Sequence, residues 1–340
     1  MDTTVMLGHG SGGIMMKRII DEVFFAAYGG EELLRGDDAA VLPALVPGER
    51  LAFSTDSFVV SPHFFPGGDI GRLAVCGTVN DVATSGAIPR YLSCGFILEE
   101  GYPLEDLRRI CASMADAAAE AGVRLVTGDT KVVNRGHGDG VYINTSGIGV
   151  IAPRIDLGGA KCRPGDKVLL TGTLGDHGIT IMSCRESLSF SAAVESDAAP
   201  LNHLIAEVLK AAPHTRCFRD PTRGGLASTL NEFAAQSGMD LYVDEAAIPV
   251  SPVVLGACDM LGYDVLQVAN EGKMVCVVPD DEAEAALVAM RANRYGANAA
   301  IIGEVVETRP DRGPKALLRT PFGSTRILDM LVGEQLPRIC

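Results

Sequence analysis

DIGRLAVCGTVNDVATSG, residues 69–86, decides how the first half of this chain is read. Asp69 stands where a capping carboxylate would accept hydrogen bonds from the free N–H groups of a first helical turn. Behind it, small and apolar residues recur at helical spacing, and Asp81 follows near the far end. Strand-like runs flank this helix. LAFS (51–54) runs apolar into Thr55-Asp56, and YLSCGFIL (91–98) reads as a buried strand. Residues 103–122 repeat the helical signal. Leu104, Leu107, Ile110, Cys111, Met114 and Ala118 share one face, Pro103 suits the first turn, Glu105 and Arg109 are spaced as an i,i+4 pair, and Gly122 ends the run. VRLVT (123–127) and VYINTSGIGVI (141–151) read as further strands. Alternating strands and helices imply an α/β fold.

APRIDLGGAKCRPGD (152–166), rich in Gly, Pro and charge, reads as a domain boundary. A second α/β half follows. It has a strand at 167–172, helical patterns at 174–188, 200–212 and 224–238, and strands at 274–278 and 299–306 around a helix at 280–294. Beyond about residue 320 apolar residues are too few for a core, so a mobile tail is expected. The chain therefore divides into 1–152, 153–315 and a tail, 316–340. No internal repeat is evident.

With 29 Lys and Arg against 43 Asp and Glu, the net charge of −14 argues against nucleic acid and anionic lipid as partners. The N-terminus lacks the basic start and apolar run of a signal peptide, and no apolar run reaches the roughly 18 residues of a membrane span. Nine cysteines with no CxxC pair argue against a disulfide framework and a structural zinc site. A cytoplasmic protein with reduced thiols is expected.

Carboxylates are the loudest chemical signal. They lie in short polar tips: Asp37 and Asp38 in GDDAA, Asp56, Asn80-Asp81, Asp129-Thr130-Lys131 and Asp220-Pro221-Thr222-Arg223. Singly, each reads as a turn or helix cap. Two carboxylates about 5 Å apart repel by roughly 3 kcal/mol at an effective dielectric near 20, so a converging set needs a cation. Clustered hard oxygen donors suit Mg²⁺ carrying nucleotide phosphate. Gly8-His9-Gly10-Ser11-Gly12-Gly13, ahead of an apolar-periodic helix, could cradle phosphate with backbone N–H groups, but no Walker Lys-Ser/Thr follows.

GDDAAV, STDSFV, GTVNDVATSGA, VTGDTKVV, DPTRGGLA and NEGK, in that order, resemble the PurM-like, AIR synthase-related ATPase superfamily. Within it, FFPGGDIGRLAVCGTVNDVA, FILEEG, GDTKVVNRG and the ending LPRIC are similar to the HypE family of hydrogenase maturation factors (carbamoyl dehydratases). The resemblance spans residues 8 to 340. It implies a two-domain PurM-like fold, α/β (α+β), whose N-terminal domain dimerises through a shared β-barrel flanked by helices and whose C-terminal domain is a mixed sheet with helices. It implies a homodimer with ATP and Mg²⁺ in a cleft beside that interface.

The resemblance also implies a reaction. A carbamoyltransferase, HypF, loads a carbamoyl group on the thiol of Cys340. ATP-dependent dehydration turns the S-carboxamide into a thiocyanate, and the cyano group passes through a HypC–HypD complex to a [NiFe]-hydrogenase centre. By residue, it implies Asp38 (or Asp37), Asp56, Asp81 and Asp220 around the metal. Gly10, Ser11, Gly12, Gly13, Asp129, Thr130 and Thr222 fall on the nucleotide side. Lys131 and Glu271 are candidate catalytic groups, with Glu271 nominated as base and Lys273 beside it. Cys340 is expected to be a sluggish nucleophile on an exposed arm, with Leu336 and Ile339 as anchors and Pro337 holding the tip extended. Other members of the superfamily give a terminal thiol no role, and a selenophosphate synthetase would need a reactive Cys near the N-terminal loop, where the first here is Cys76. A nucleotide-gated, non-catalytic carrier of cyanide or iron is the other alternative.

Overall fold

Why the first half folds around residues 69–86 is visible in the computed structural model, which describes residues 3–10, 13–30, 42–186, 194–330 and 338–340. Helix α1 (Ile70–Thr84) starts at Asp69, whose carboxylate accepts from the N–H groups of Gly71 and Arg72 at 2.8 and 2.9 Å. The helix is buried on nearly every face, because it lies between a sheet, a second helix and the other half of the chain. Asn80 and Asp81 sit inside it rather than at a loop tip.

The sheet beneath α1 contains β1 (Arg50–Phe58), β2 (Ile88–Glu99), β3 (Arg124–Val133) and β4 (Val141–Ile151) in the order β1-β4-β2-β3. Only β2 and β3 run parallel. Helix α2 (Leu104–Ala121) buries the expected Leu104, Leu107, Ile110, Cys111, Met114 and Ala118 against α1, and Gly122 caps it at φ 70°. Pro103 proves to be its N-cap residue. Arg109 pairs with Asp106 at 3.9 Å, rather than the expected Glu105, and stacks 4.0 Å from the Phe64 ring centroid.

Burial alternates along these strands, so α1 and α2 cover one face and the other face is open. On the open face Leu51, Val150 and Ile88 fall in one cross-strand row, and Phe53, Ile148 and Tyr91 in the next. Leu51 is 57% exposed and Phe53 69%.

The C-terminal half is a seven-stranded mixed sheet. Its strands are β5 (Lys167–Leu170), β6 (Cys217–Arg219), β7 (Asp240–Asp244), β8 (Val275–Val278), β9 (Ala300–Val306), β10 (Ala316–Arg319) and β11 (Thr325–Ile327), in the order β11-β10-β7-β9-β5-β8-β6. Helices α3 (Asp176–Arg185), α4 (Asn202–Ala211), α5 (Gly225–Ser237), α6 (Pro252–Leu261) and α7 (Ala283–Ala292) accompany it. Among the described residues no helix is long and apolar enough to cross a membrane.

The expected tail boundary at 316 needs correction. Strand β10 pairs in parallel with β7, β11 closes on β10, and Leu328 is buried, so the sheet continues to residue 327. Ala316, Leu317, Leu318 and Leu328 are buried against the sheet, and ladder hydrogen bonds hold the more polar residues between them. Leu336 and Pro337 lie outside the described residues.

Candidate active site at the junction of the two halves

Two loops of the C-terminal half are tied to each other and to α1. Asn270 donates from Nδ2 to the carbonyl of Pro221 at 2.9 Å and from its backbone N–H to the same oxygen at 3.1 Å, and accepts from the Gly175 N–H at 2.7 Å. This binds the loop Asn270–Lys273 to the loop Asp220–Arg223. Asn80, buried on α1, donates to Ala199 O at 3.0 Å and to Glu271 O at 3.4 Å, and accepts from the Leu201 N–H at 2.7 Å. Gly272 is confined between them: a Cβ there would meet the Asp197 carbonyl oxygen at 1.7 Å.

This scaffold brings together Asp56 from the end of β1, Asp81 from α1, and Asp220 and Glu271 from the two loops. Each carboxyl is pushed above its ordinary range, burial being the largest cause every time. The acids then act on one another. Asp56 raises Asp81, while Asp81 and Asp56 raise Asp220, which reaches about 7. Asp220, Asp197 and Asp56 all raise Glu271. Ser54 Oγ donates to Asp81 at 2.8 Å, and the Ser57 N–H to Asp56 at 2.8 Å. Glu271 is 3% exposed, and among the described residues its Oε1 has no hydrogen-bond partner. A cleft of about 410 Å³, lined by Phe53, Asp81, Asp220, Thr222, Arg223 and Glu232 among others, opens beside this cluster.

The chain's end enters the same place. Cys340 is 7% exposed and joins the core of the N-terminal half. Its Sγ accepts a hydrogen bond from Arg223 Nη1 at 3.2 Å. Burial and the nearby Glu271 push the thiol up to about 12, with Arg223 opposing and Asp56 adding. The expected exposed arm needs correction here: Cys340 is buried beside acids.

Backbone contacts seat the last three residues. The Val59 N–H donates to Cys340 O at 3.0 Å, His177 Nε2 to Ile339 O at 2.8 Å, and Arg185 to Arg338 O. Arg338 donates to Val59 O at 3.0 and 3.2 Å and pairs with Asp139. Its φ of 51° is left-handed, a conformation costing roughly 1–2 kcal/mol that these contacts offset. His177 is fully buried, and burial holds its pKa down. With Nε2 donating to a carbonyl, the neutral ring accepts at Nδ1 from Ser196 Oγ at 2.8 Å.

Other expected residues fall elsewhere. Asp129, Thr130 and Lys131 lie on β3. The row Asp56, Thr145, Cys94, Gly128 puts three strand spacings, about 14 Å, between them and Asp56. Strand alternation turns Asp129 and Lys131 to the open face, where they pair at 2.7 Å, and Thr130 inward. One chain does not bring them to the cluster. Leu7–Gly10, the described flank of the glycine-rich loop, packs beside the same strand. Ser11, Gly12, Asp37 and Asp38 lie outside the described residues. Lys273 is no surface group. It is buried, at 2.9 Å from Asp197 and 3.7 Å from Asp176, and faces a second cavity of about 520 Å³ behind Gly272.

Among the described residues no group of three or more His, Cys, Asp or Glu side chains is arranged to hold a metal ion unaided. The donors nevertheless fit magnesium, which takes one or two carboxylates and completes its shell with water and substrate phosphate. Burial raises the carboxyls of Asp56, Asp81 and Asp220, repulsion adds to it at Asp81 and Asp220, and a cation bound there would relieve both.

Comparisons with known proteins place the chain in a family. The model of the AIR synthase related protein N-terminal domain matches residues 36–151, and that of the C-terminal domain residues 163–313. The carbamoyl dehydratases HypE of Azotobacter vinelandii and Cupriavidus necator are 55% and 54% identical. The first match covers 99% of this chain and 97% of the relative, and the second 98% and 94%. A crystal structure of a hydrogenase maturation protein HypE in complex with ATP matches with a TM-score of 0.94 at 49% identity, covering 99% of this chain and all of that one. A HypE–HypF complex matches with a TM-score of 0.80 at 47% identity, over 92% of this chain and 99% of that one. At such identity over the full length, the chain belongs to the HypE family of hydrogenase maturation proteins, within the AIR synthase-related, PurM-like superfamily.

Proposed function

We propose that this protein is an ATP-dependent carbamoyl dehydratase that converts an S-carboxamide on Cys340 into a thiocyanate. The observation that carries the reading is the seat of Cys340: its sulfur accepts from Arg223, which also lines the cleft, and lies near Glu271, whose Oε1 has no partner among the described residues. A carrier needs no buried, unpartnered carboxyl beside its cargo, and a kinase acting on a free metabolite needs no thiol there. Resemblance to proteins named carbamoyl dehydratase, and to one solved with ATP, supports the same reading.

An amide oxygen is a poor leaving group, and phosphorylation by ATP makes it a good one. Asp56, Asp81 and Asp220 would hold magnesium, which when bound would neutralise their charge and that of the triphosphate. With those acids neutralised, two of the three repulsions on Glu271 fall away, and Arg223 favours its ionised form. Glu271 then takes a proton from the carboxamide nitrogen. Thr222 lines the cleft and would face the nucleotide there. His177, Arg185 and Val59 hold the last peptide units, so the thiol-borne group arrives already oriented.

The apolar rows of the open face around Phe53 and Leu51 make a homodimer the natural assembly, with the Asp129–Lys131 pair on the same face. In such a dimer Lys131 would act across the interface. Buried as it is, Cys340 has to leave its seat to meet the carbamoyltransferase HypF, and again to hand on cyanide through HypC–HypD. That movement would release the contacts of Arg338, Ile339 and Cys340 with Arg185, His177 and Val59.

Mass spectrometry of the C-terminal peptide tests the reading. Protein carbamoylated by HypF loses the mass of one water on adding MgATP, and Cys340→Ala never gains the carbamoyl group. A carbamoyl mark that persists through ATP turnover would refute the proposal.

A further inference from the structure

Arg223 stands where the sulfur, the acids and the cleft meet. It donates from Nη1 to Cys340 Sγ at 3.2 Å, lines the cleft, and lies close enough to Asp56 and Glu271 to interact electrostatically with both. Its loop is fixed on both sides: Asn270 clamps Pro221, and the Gly225 N–H donates to Thr222 O at 2.9 Å. Gly225, at φ 58°, is packed so closely on the next loop that a Cβ would meet the carbonyls of Leu266 and Val268 at 2.7 Å. The guanidinium is therefore aimed by a rigid element.

A thiol sulfur is a weak acceptor for so strong a donor. The carbonyl oxygen of a group attached to that sulfur is a far better one, and it would stand two bonds beyond the sulfur. We propose that Arg223 is a catalytic residue whose N–H groups hold the oxygen of the carbamoyl group on Cys340, so that its nitrogen faces Glu271. The inference rests on the dehydratase reading above.

The chemistry is balanced around this contact. The carboxamide oxygen forms a bond to the γ-phosphorus, and the bond from that phosphorus to ADP breaks. One N–H proton passes to Glu271, leaving an S-bound imidate phosphate. The carbon–oxygen bond then breaks, phosphate departs with the electron pair and the remaining N–H proton, and thiocyanate stays on Cys340. Negative charge gathers on the bridging oxygen as the carbon–oxygen bond breaks, and a preorganised guanidinium beside it lowers that barrier.

The test uses full-length protein carbamoylated by HypF, in a single turnover at saturating MgATP. Arg223→Ala should take up the carbamoyl group as the unaltered protein does, which also reports that it folds, and should lose water from it about 100-fold more slowly. Added guanidinium ion should restore part of the rate, and Arg223→Lys should fall between the two. A purely structural role would show no rescue. The proposal is overturned if Arg223→Ala dehydrates at the unaltered rate, if guanidinium has no effect on the slowed variant, or if the whole defect is weaker MgATP binding with a normal saturated rate. Failure of the unaltered carbamoylated protein to lose water would remove the dehydratase reading itself, and this proposal with it.

Discussion

Glu271→Gln is expected to stop the reaction with the carbamoyl group still on Cys340. Glutamine keeps the shape of the side chain but cannot take a proton from the carboxamide nitrogen. Losing a positioned general base slows such a step by about 10²–10⁴-fold. The C-terminal peptide of the variant should accumulate in its carboxamide form at saturating MgATP, while loading by HypF is unchanged. Folding should not suffer. The carboxyl is buried, its Oε1 has no partner among the described residues, and Asp220, Asp197 and Asp56 disfavour its charge, so a neutral amide removes a repulsion. Thermal denaturation should show a midpoint equal to or above that of the unaltered protein. A variant that dehydrates at full rate would move the base elsewhere.

Asp220→Asn should be as damaging to turnover, by on the order of 10³-fold, because it removes charge from the site that would carry magnesium. It should also change how stability responds to pH. Asp220 titrates near 7 in the folded protein, against the ordinary carboxyl range in the unfolded chain. Between about pH 4 and pH 7 the folded state therefore holds a proton that the unfolded state has released, and stability falls as pH rises through that window. The contribution is complete below the window and lost above it. Asparagine has no proton to lose, so the fall should be shallower in the variant. Stabilisation by MgATP should grow from about pH 5 to pH 8 in the unaltered protein, as the acids ionise, and should be weak throughout in Asp220→Asn. Parallel denaturation curves for the two proteins across this range would contradict the coupling of Asp220 to Asp81 and Asp56.

Which of these features could be read from sequence depended on how local their causes are. Asp69 and the face of α2 were legible because a cap and a helical repeat are set by neighbours within a turn or two. Asp56, Asp81 and Asp220 stood out as acids beside apolar runs, and Cys340 as the end of a motif. The seat of Cys340 was not legible. It is made by His177, Arg185, Val59 and Arg223, and the nearest of these in sequence is 117 residues away. Few apolar residues near the end implied mobility, but Ile339 and Cys340 are buried in the core and hydrogen bonds to their backbone hold them, from partners that local composition does not report. Arg223 was inside a quoted motif and still went unassigned, since an Arg between Thr and Gly-Gly looks like any loop cation. Alternation along VTGDTKVV did carry a usable signal. If Thr130 points inward, Asp129 and Lys131 must point out, away from Asp56.

A carbamoyl oxygen carrying a heavy isotope gives the most direct measurement of the central claim. Cys340 would be loaded with the labelled group and given MgATP, and the released phosphate analysed by mass spectrometry. Transfer of the γ-phosphoryl group to that oxygen predicts one labelled oxygen in each inorganic phosphate formed. Unlabelled phosphate, with the label recovered in water or still on the protein, would contradict it.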